Sequence, residues 1–574
     1  MTNQQSKQGA KMAADDGAAL TIREVLAPDT IFANGNILTV DDRFSVANAV
    51  AVRDGRFMAV GTTKDVLPLA GPRTNIVDLE GRTVLPGLID THAHVERAGL
   101  EKCTVRLNDV RSVREALGRI AEYAATLRKG EWIRGGQWHP VAQLAEGRFL
   151  TRKELDSVCP DNPVSLPIGH FTLVNSHALA LAGITKNTLD PAGGTIHRDE
   201  LTGEPSGILE EAAEDLVQSL LPGWSDQQRD EQLLSAMRLF NKFGLTSAIS
   251  AAVGPETFRA HQRVRMSGRA SLRISAMFAP TGSLNPDVTI DEWEAFFSKI
   301  GVASDFGDSW LSLSGVKLQI DGGMTLRTAA MRDGYPGDPL YKGTIVIEPT
   351  RFNALVTIAN RYGWRVGVHA VGDAAIDRVL DAYQLADGER SIKGRRFVII
   401  HGSLMRRDQM ERAKRLDVRV DAQTTFLWDK AGAVAGFLGK ATADRAFPMR
   451  TMIDVMGLDA VGQGTDYPIN SLNPFVNMYV MVTRRDKDGI LYGASERITR
   501  EEAIRLYTSA ASRYSFSEKQ IGSIETGKYA DMIVISDNIM RIPDDLIKDI
   551  QVLRTIVEGQ IVHEGTDHSR LGDA

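Results

Sequence analysis

Residues 87–94 read GLIDTHAH, an apolar run that ends in two histidines separated by one alanine. The run is typical of a buried strand, because strands covered on both faces of a parallel sheet have nearly continuous apolar sequences. Side chains at positions i and i+2 of a strand point to the same side, so we expect His92 and His94 to point together. Two imidazoles placed in this way can bind one metal ion.

Seven further apolar runs follow this stretch, and helical patterns separate most of them. Strands that alternate with helices favour βαβ units and a parallel sheet. Eight such units predict a protein of the α/β class with a TIM-type (β/α)8 barrel. The seven runs are LTSAIS (245–250), RISAMF (273–278), VKLQI (316–320), RVGVHAV (365–371), FVIIHG (397–402), VRVDAQ (418–423) and AVGQGTD (460–466).

Both ends of the chain contain short β-type runs. Between residues 29 and 85, the turn dipeptides Asn-Gly, Asp-Gly and Glu-Gly separate alternating apolar segments, as in hairpins. Residues 515–565 have the same style. We expect 29–85 and 515–565 to form one small β-sandwich domain and 86–514 to form the barrel. Residues 1–28 are polar and small, which predicts a disordered tail.

The segment between the first and second barrel strands is too long for a single connection. It contains two β-type runs, EWIRGGQW (131–138) and NPVSLPIGH (162–170). Helical patterns cover residues 112–129 and 209–220. We interpret residues 100–240 as a large insertion after strand 1, placed on the catalytic end of the barrel where it shapes the substrate pocket.

Three more polar residues end predicted barrel strands: His369 the fifth, His401 the sixth and Asp466 the eighth. Catalytic residues of such barrels gather at the C-terminal ends of the strands. A single histidine of this kind is more often a hydrogen-bonded core residue. Four histidines and one aspartate, all at strand ends, are harder to explain in that way, and together they predict a metal site.

Lys317, in the segment SGVKLQIDGG, is predicted to lie at the end of the fourth strand, and it raises a separate question. A lysine that faces the cluster is costly as a cation, because burial disfavours the charge. The side chain could instead point outward, or it could react with carbon dioxide to form a carbamate, an anionic ligand that bridges two metal ions. The order HxH, Lys, His, His, Asp on strands one, four, five, six and eight fits the carbamate. An unmodified, outward lysine would leave a mononuclear site, with Glu210 or Glu211 contributing from the insertion.

Motifs spread along the chain carry a family resemblance: LPGLIDTHAHVE, HFTLVNSHAL, GEPSGILEEAA, VKLQIDGGMTLRTA, VGVHAVGDAAID, VIIHGSL, GTDYPI and IGSIETGKYADMIV. With these motifs, the chain from about residue 29 to 565 resembles the amidohydrolase superfamily, and in particular its amidohydrolase family 3. The segment DGGMTLRTA departs from the commoner DGSLGSRTA of that family, which puts the identity of the substrate in doubt.

The resemblance implies a centre of one or two divalent metal ions, usually zinc. The ligands that it implies are His92, His94, Lys317 as a carbamate, His369, His401 and Asp466. His170 and Asn175 match a family-typical segment of the insertion, and we expect them to contact the substrate or groups around the metal. Trp138 is a further candidate for substrate binding, since it lies in a predicted loop at the catalytic face.

These ligands predict a metal-dependent amidohydrolase that cleaves a C–N bond of an amide, an N-formyl or N-acyl group or a cyclic amide by metal-activated water. Asp466 would act as base and then as acid, while His401 and His369 hold the metal and orient the carbonyl group. Two alternatives use the same site: hydrolysis of an ester, lactone or imide, and an isomerase or lyase reaction. A non-enzymatic binding protein would be expected to lack a ligand, and none is missing.

Composition limits the possible partners. The formal net charge of the 574 residues is −6, and the sequence contains no long basic run, so we expect neither nucleic acid nor a membrane surface as partner. The sequence contains neither a signal-peptide pattern nor an apolar stretch of ~20 residues. We therefore expect a cytoplasmic protein that binds a small-molecule substrate, and a homo-oligomer is compatible with the sequence. The two cysteines, Cys103 and Cys159, are expected to be ordinary thiols.

Overall fold

A computed structural model describes residues 26–566, except 101–102, 137, 139, 169–170, 192, 282–287 and 326. Most of the expected disordered tail, residues 1–25, lies outside the described residues.

The strands are numbered in chain order. Strands β1–β7 are Thr30–Ala33, Asn36–Leu38, Val46–Ala47, Ala49–Arg53, Arg56–Gly61, Asn75–Asp78 and Thr83–Pro86. Strand β8 is Leu88–Ala93, and β9–β14 are Val105–Arg106, Ile133–Gly136, Val164–Ile168, Phe171–Val174, Gly194–Arg198 and Pro205–Glu211. Strands β15–β21 are Leu245–Val253, Arg273–Phe278, Leu311–Gln319, Val366–Ala370, Val398–His401, Arg419–Ala422 and Val461–Gln463. Strands β22–β24 are Met532–Ile535, Val552–Val557 and Gln560–Glu564.

The α-helices fall into two groups. Those before β15 are Thr63–Val66, Val95–Ala98, Val113–Ala124, Pro140–Gln143, Arg152–Val158, Ser176–Leu181, Asp215–Gln218 and Asp226–Lys242. Those after β15 are Pro255–Met266, Ile290–Lys299, Pro349–Arg361, Asp373–Glu389, Arg407–Arg415, Phe426–Leu438, Lys440–Asp444, Met449–Met456, Pro474–Thr483, Arg500–Leu506 and Ser509–Ser512.

Eight parallel strands form a nearly closed barrel in the order β8, β15, β16, β17, β18, β19, β20, β21. The predicted α/β fold class and (β/α)8 barrel are confirmed, and each of the eight predicted runs overlaps one of these strands. Strands β8 and β16 are buried at every position, which explains their continuous apolar sequences. Between the two ends of the sheet, the Asp466 N–H donates to the His92 carbonyl at 2.7 Å. Gly464 permits this approach, since a Cβ there would lie 2.6 Å from the His92 nitrogen.

Strands from both chain ends share one six-stranded sheet, in the order β24, β23, β22, β7, β2, β3. Strand β22 pairs antiparallel with β7, with Met532 opposite Pro86. The remaining N-terminal strands form a four-stranded sheet in the order β5, β4, β1, β6. Phe32 and Val50 of this sheet share a buried cluster with Met532 and Ile556 of the other, so the two sheets pack on each other. The limits 29–85 and 515–565 of a separate domain stay a prediction.

The insertion contains a second six-stranded sheet, in the order β13, β14, β12, β11, β10, β9. The helix predicted over 112–129 is present as Val113–Ala124. The helix predicted over 209–220 is wrong in its first half, because Pro205–Glu211 is strand β14 and only Asp215–Gln218 is helical. Strand β14 pairs with β12 on one side and β13 on the other. These two ladders override the helical propensity of the sequence LEEAA.

Within the described residues, no helix is both long enough and apolar enough to cross a lipid bilayer. Both cysteines are free thiols, with Cys159 buried and Cys103 half-buried.

Candidate metal centre

Three of the predicted ligands meet where β8 and β21 end. The Nε2 atoms of His92 and His94 each lie 3.5 Å from Oδ1 of Asp466. One donor atom from each of the three residues lies within 4.8 Å of the other two. All three side chains are buried. The HxH pattern on β8 therefore places both imidazoles beside one carboxylate, an arrangement able to hold a cation.

The other predicted ligands lie on the same cavity wall. The rings of His369 and His401 are 4.4 Å apart between centroids, and those of His92 and His401 are 5.5 Å apart. All four histidines, Lys317 and Asp466 line one cavity of about 380 Å³ at the C-terminal ends of the barrel strands. The structure thus brings the six predicted ligands together, while the metal-binding role of each stays a prediction.

Two of these residues have an unusual backbone conformation. His401 has a φ of 76° and Asp466 a φ of 56°, both in the left-handed region that favours glycine. A non-glycine residue there costs on the order of 1–3 kcal/mol, and such residues cluster at functional sites. His401 is the last residue of β19, and Asp466 follows the end of β21. Both side chains border the cavity.

The charge states of the cluster suit a divalent metal. Burial, assisted by the charge of Lys317, lowers the pKa of His92 to about 3 and that of His369 to about 4. Burial also lowers the pKa of His401 well below its usual value. Burial opposes ionisation of Asp466, but hydrogen bonds with His92 and His94 hold its pKa well below the usual range. Neutral imidazoles and an ionised carboxylate are the forms that bind metal.

Lys317 is 2% exposed and borders the cavity, so the outward orientation is not observed. Burial lowers the pKa of its amine to about 7, although the charges of Asp466 and Asp421 act in the opposite direction. A substantial fraction of the amine is therefore uncharged at neutral pH. The predicted insertion ligand Glu210 instead contacts His197, with 2.7 Å between Oε2 and Nε2.

Sequence analysis missed three polar residues around the cluster: Asp90, Asp421 and Gln423. Asp90 accepts hydrogen bonds from the Thr465 hydroxyl at 2.5 Å and from the His92 N–H at 3.0 Å, so it fastens β8 to the segment after β21. Asp421 and Gln423 lie at the end of β20, beside His92 and His401. Carboxylates within the apolar runs GLIDTHAH and VRVDAQ were a usable signal, because a buried charge needs a partner.

The predicted substrate contacts lie elsewhere. Asn175 is fully buried, and its Oδ1 accepts from the Ala178 and Val164 N–H groups at 3.0 Å each, which caps the helix Ser176–Leu181. In the structure the hydrogen bonds of its side chain to described residues all lie within the insertion, and its predicted role at the substrate stays a prediction. Trp138 is buried in the apolar core of the insertion and does not border the described cavity. His170 lies outside the described residues.

Two known proteins are similar to this chain over nearly its whole length. The chain is 30% identical over 557 residues to N-substituted formamide deformylase of Arthrobacter pascens, covering 94% of this chain and 99% of that protein. It is also 30% identical over 557 residues to the protein LONG AFTER FAR-RED 3 of Arabidopsis thaliana, covering 94% and 93% of the two chains.

A solved structure is similar over most of the chain. It is an uncharacterized metal-dependent hydrolase from Pyrococcus furiosus, 27% identical, with a TM-score of 0.73 over 89% of this chain and all of the other. Together with the His-His-Asp cluster, these relatives support metal-dependent hydrolysis with a divalent ion. The profile described as the amidohydrolase family matches residues 75–563. The chain therefore belongs to the amidohydrolase family.

Proposed function

We propose that the protein hydrolyses a C–N bond of a small-molecule amide, an N-formyl or N-acyl compound or a cyclic amide. The observation that carries the proposal is the cluster of His92, His94 and Asp466 on the wall of a cavity of about 380 Å³. The likeness to N-substituted formamide deformylase supports the choice of a C–N bond.

The donor set fits a divalent metal, and we propose zinc, which prefers imidazole and carboxylate ligands. His92, His94 and Asp466 would hold one ion, with His369, His401 and Lys317 on the same wall available for it or for a second ion. The Nδ1 atoms of His92 and His94 are buried and have no hydrogen-bond partner among the described residues. A bound divalent ion supplies Lewis acidity to a substrate carbonyl and makes water a stronger nucleophile.

Asp466 is the proposed proton carrier. Its carboxylate is ionised and borders the cavity, so it can accept a proton from the attacking water. A C–O bond then forms at the carbonyl carbon, the C–N bond breaks, and Asp466 returns the proton to the leaving nitrogen. The products are a carboxylic acid and an amine, and the carboxylate of Asp466 is regenerated.

Lys317 is proposed to be carboxylated. Carbon dioxide reacts with the uncharged amine, and the buried Lys317 amine has a pKa of about 7. The resulting carbamate would add a negative charge beside the histidines and allow a second ion to bind. Incubation of the protein with ¹³C-bicarbonate and zinc should give a carbamate carbon signal in NMR, and Lys317→Met should abolish this signal.

The walls of the cavity indicate what kind of substrate fits. Met324, Val371, Phe426 and Ile469 form an apolar surface, and Arg97 contributes a positive charge. Phe426 packs near His401, with ring centroids 6.3 Å apart. We therefore propose an amide with an apolar or aromatic group, which would lie against Phe426.

The alternative candidates, hydrolysis of esters, lactones or imides and isomerase or lyase chemistry, use the same metal site. The test is a screen of the purified, metal-analysed enzyme against matched panels of N-formyl, N-acyl and cyclic amides and of esters with the same acyl groups. The proposal predicts amide turnover that a chelator removes and zinc restores. Turnover of esters alone, or amide turnover that persists without metal, would contradict it.

A further inference from the structure

Strand β20 is the one barrel strand between β17 and β21 that carries no predicted metal ligand, yet its end lies beside two of them. Asp421 and Gln423 are two residues apart and are both buried, at 2% and 0% exposure. Asp421 lies beside His92, and Gln423 lies beside His401. Nothing in the proposed reaction uses either residue directly.

Gln423 fixes the proton position on His401. Its Oε1 lies 2.6 Å from Nδ1 of His401. Its Nε2 donates to the main-chain carbonyl of Asp421 at 2.9 Å, which sets the orientation of the amide. Because Oε1 can only accept, Nδ1 of His401 must carry the hydrogen. The lone pair of the neutral ring is then on Nε2, the remaining ligand atom.

Asp421 is held in position beside His92. The Thr91 hydroxyl donates to Oδ1 of Asp421 at 2.5 Å. The other oxygen, Oδ2, lies 3.6 Å from Nδ1 of His92, a nitrogen that has no hydrogen-bond partner among the described residues. This separation is too long for a hydrogen bond, so Asp421 lies beside His92 without bonding to it.

We propose that β20 supplies the outer hydrogen-bond partner of a metal ligand, with Gln423 positioning His401. The inference rests on the proposed metal-dependent function. Histidine ligands commonly donate their second ring N–H to such a partner, which fixes the ring and its tautomer, and loss of the partner weakens metal affinity about 10- to 100-fold. Gln423 is therefore a positioning residue rather than a catalytic residue.

The test compares three glutamine variants in the full-length protein. Gln423→Leu removes the acceptor, and Gln423→Glu restores an acceptor at the same length. The matched control is Gln463→Leu, because Gln463 ends the neighbouring strand β21, is fully buried and has an amide without a partner among the described residues. The probe is zinc alone, with the dissociation constant measured by competition with a chelator.

We expect Gln423→Leu to bind zinc about 10- to 100-fold more weakly and Gln463→Leu to bind it like the wild type, while Gln423→Glu, which keeps the acceptor but loses the donation to the Asp421 carbonyl, should bind it more tightly than Gln423→Leu. The visible absorption spectrum of the cobalt-substituted protein should change in Gln423→Leu alone, since it reports the geometry of the ligands. If Gln423→Leu does not fold, Gln423→Asn, which shortens the side chain but keeps its polarity, should show the same weakening.

Equal zinc affinity and an unchanged cobalt spectrum in the Gln423 variants, with or without lower thermal stability, would overturn the positioning role. Wild-type protein that binds no divalent metal would contradict the proposed function instead, so the two failures are distinguishable.

Discussion

The two ends of the barrel differ in what their buried polar groups contact. We call the C-terminal end of the strands, where the cavity lies, the mouth, and the opposite end the floor. At the mouth, His92, His94 and Asp466 border a cavity, with both Nε2 atoms 3.5 Å from Oδ1 of Asp466. At the floor, the Arg273 guanidinium donates to both oxygens of Asp531, at 2.7 and 3.0 Å. The Tyr514 hydroxyl at the floor donates to a main-chain carbonyl at 2.6 Å.

This difference assigns separate roles to the two ends. Groups bonded to each other contribute to stability, whereas polar groups that border a cavity are available to a ligand, as expected for the C-terminal face of such a barrel. The Arg273–Asp531 pair also ties the barrel to the sheet that the two chain ends build. Substitutions at the mouth should therefore change function with little loss of stability, and those at the floor should do the reverse.

The largest functional effect is expected for Asp466→Asn at the mouth. Proton transfer by a positioned group contributes about 10²–10⁴-fold, so kcat should fall by at least about 10²-fold. Asparagine keeps the size and an oxygen ligand, so much of the metal should remain bound. The measurement is kcat together with metal content. Turnover within about tenfold of wild type with metal bound would move the proton-carrier role to a histidine.

At the floor, Asp531→Ala should lower stability instead. Removal of one partner from a buried ion pair costs up to about 3–5 kcal/mol, and the remaining contact of Arg273 with Glu558 at 3.2 Å should reduce this loss. Denaturant unfolding of the metal-free protein measures this loss. The zinc dissociation constant at the mouth should not change, and a large change there would show that the two ends are coupled.

The sequence was sufficient for the barrel and for the histidines and aspartate of the site. Strand position fixes which way a side chain points, so His92, His94 and Asp466 could be placed from the apolar runs alone. Their partners could not, because Asp421 meets His92 across the barrel through a closure that no local pattern records. The strand Pro205–Glu211 was missed because its sequence favours a helix and only pairing with two neighbours makes it a strand.

A smaller effect, with a defined pH dependence, is expected for Lys317→Met in metal-free protein without carbon dioxide. Burial lowers the lysine pKa from 10.5 to about 7, so between these values the unfolded chain binds more protons than the folded one. Wild-type stability therefore rises with pH across this window. Since one pKa unit corresponds to about 1.4 kcal/mol, Lys317→Met should be more stable by on the order of 2–4 kcal/mol at pH 7.

This gain from Lys317→Met should shrink as the pH rises towards 10.5 and vanish above it, because the unfolded wild type then loses the lysine charge as well. Unfolding free energies of both proteins at several pH values measure it. A difference that does not vary with pH would contradict the burial of an uncharged amine.

The smallest effect is expected for Asn175→Ala in the insertion. Loss of an N-cap residue costs about 0.5–2 kcal/mol, and this side chain also accepts from the Val164 N–H. Thermal unfolding should record the loss, while kcat/KM should stay unchanged. A large fall in kcat/KM without a loss of stability would restore Asn175 to the substrate site.

The central claim is that His92, His94 and Asp466 hold the metal on which hydrolysis depends. The most direct test measures bound metal and amide hydrolysis on the same preparations of wild type, His92→Ala, His94→Ala and the control His563→Ala, which alters a half-buried histidine of strand β24. We predict metal and turnover in the wild type and in His563→Ala, and loss of both in His92→Ala and His94→Ala. Full metal occupancy with near-normal turnover in either of these two variants would contradict the account.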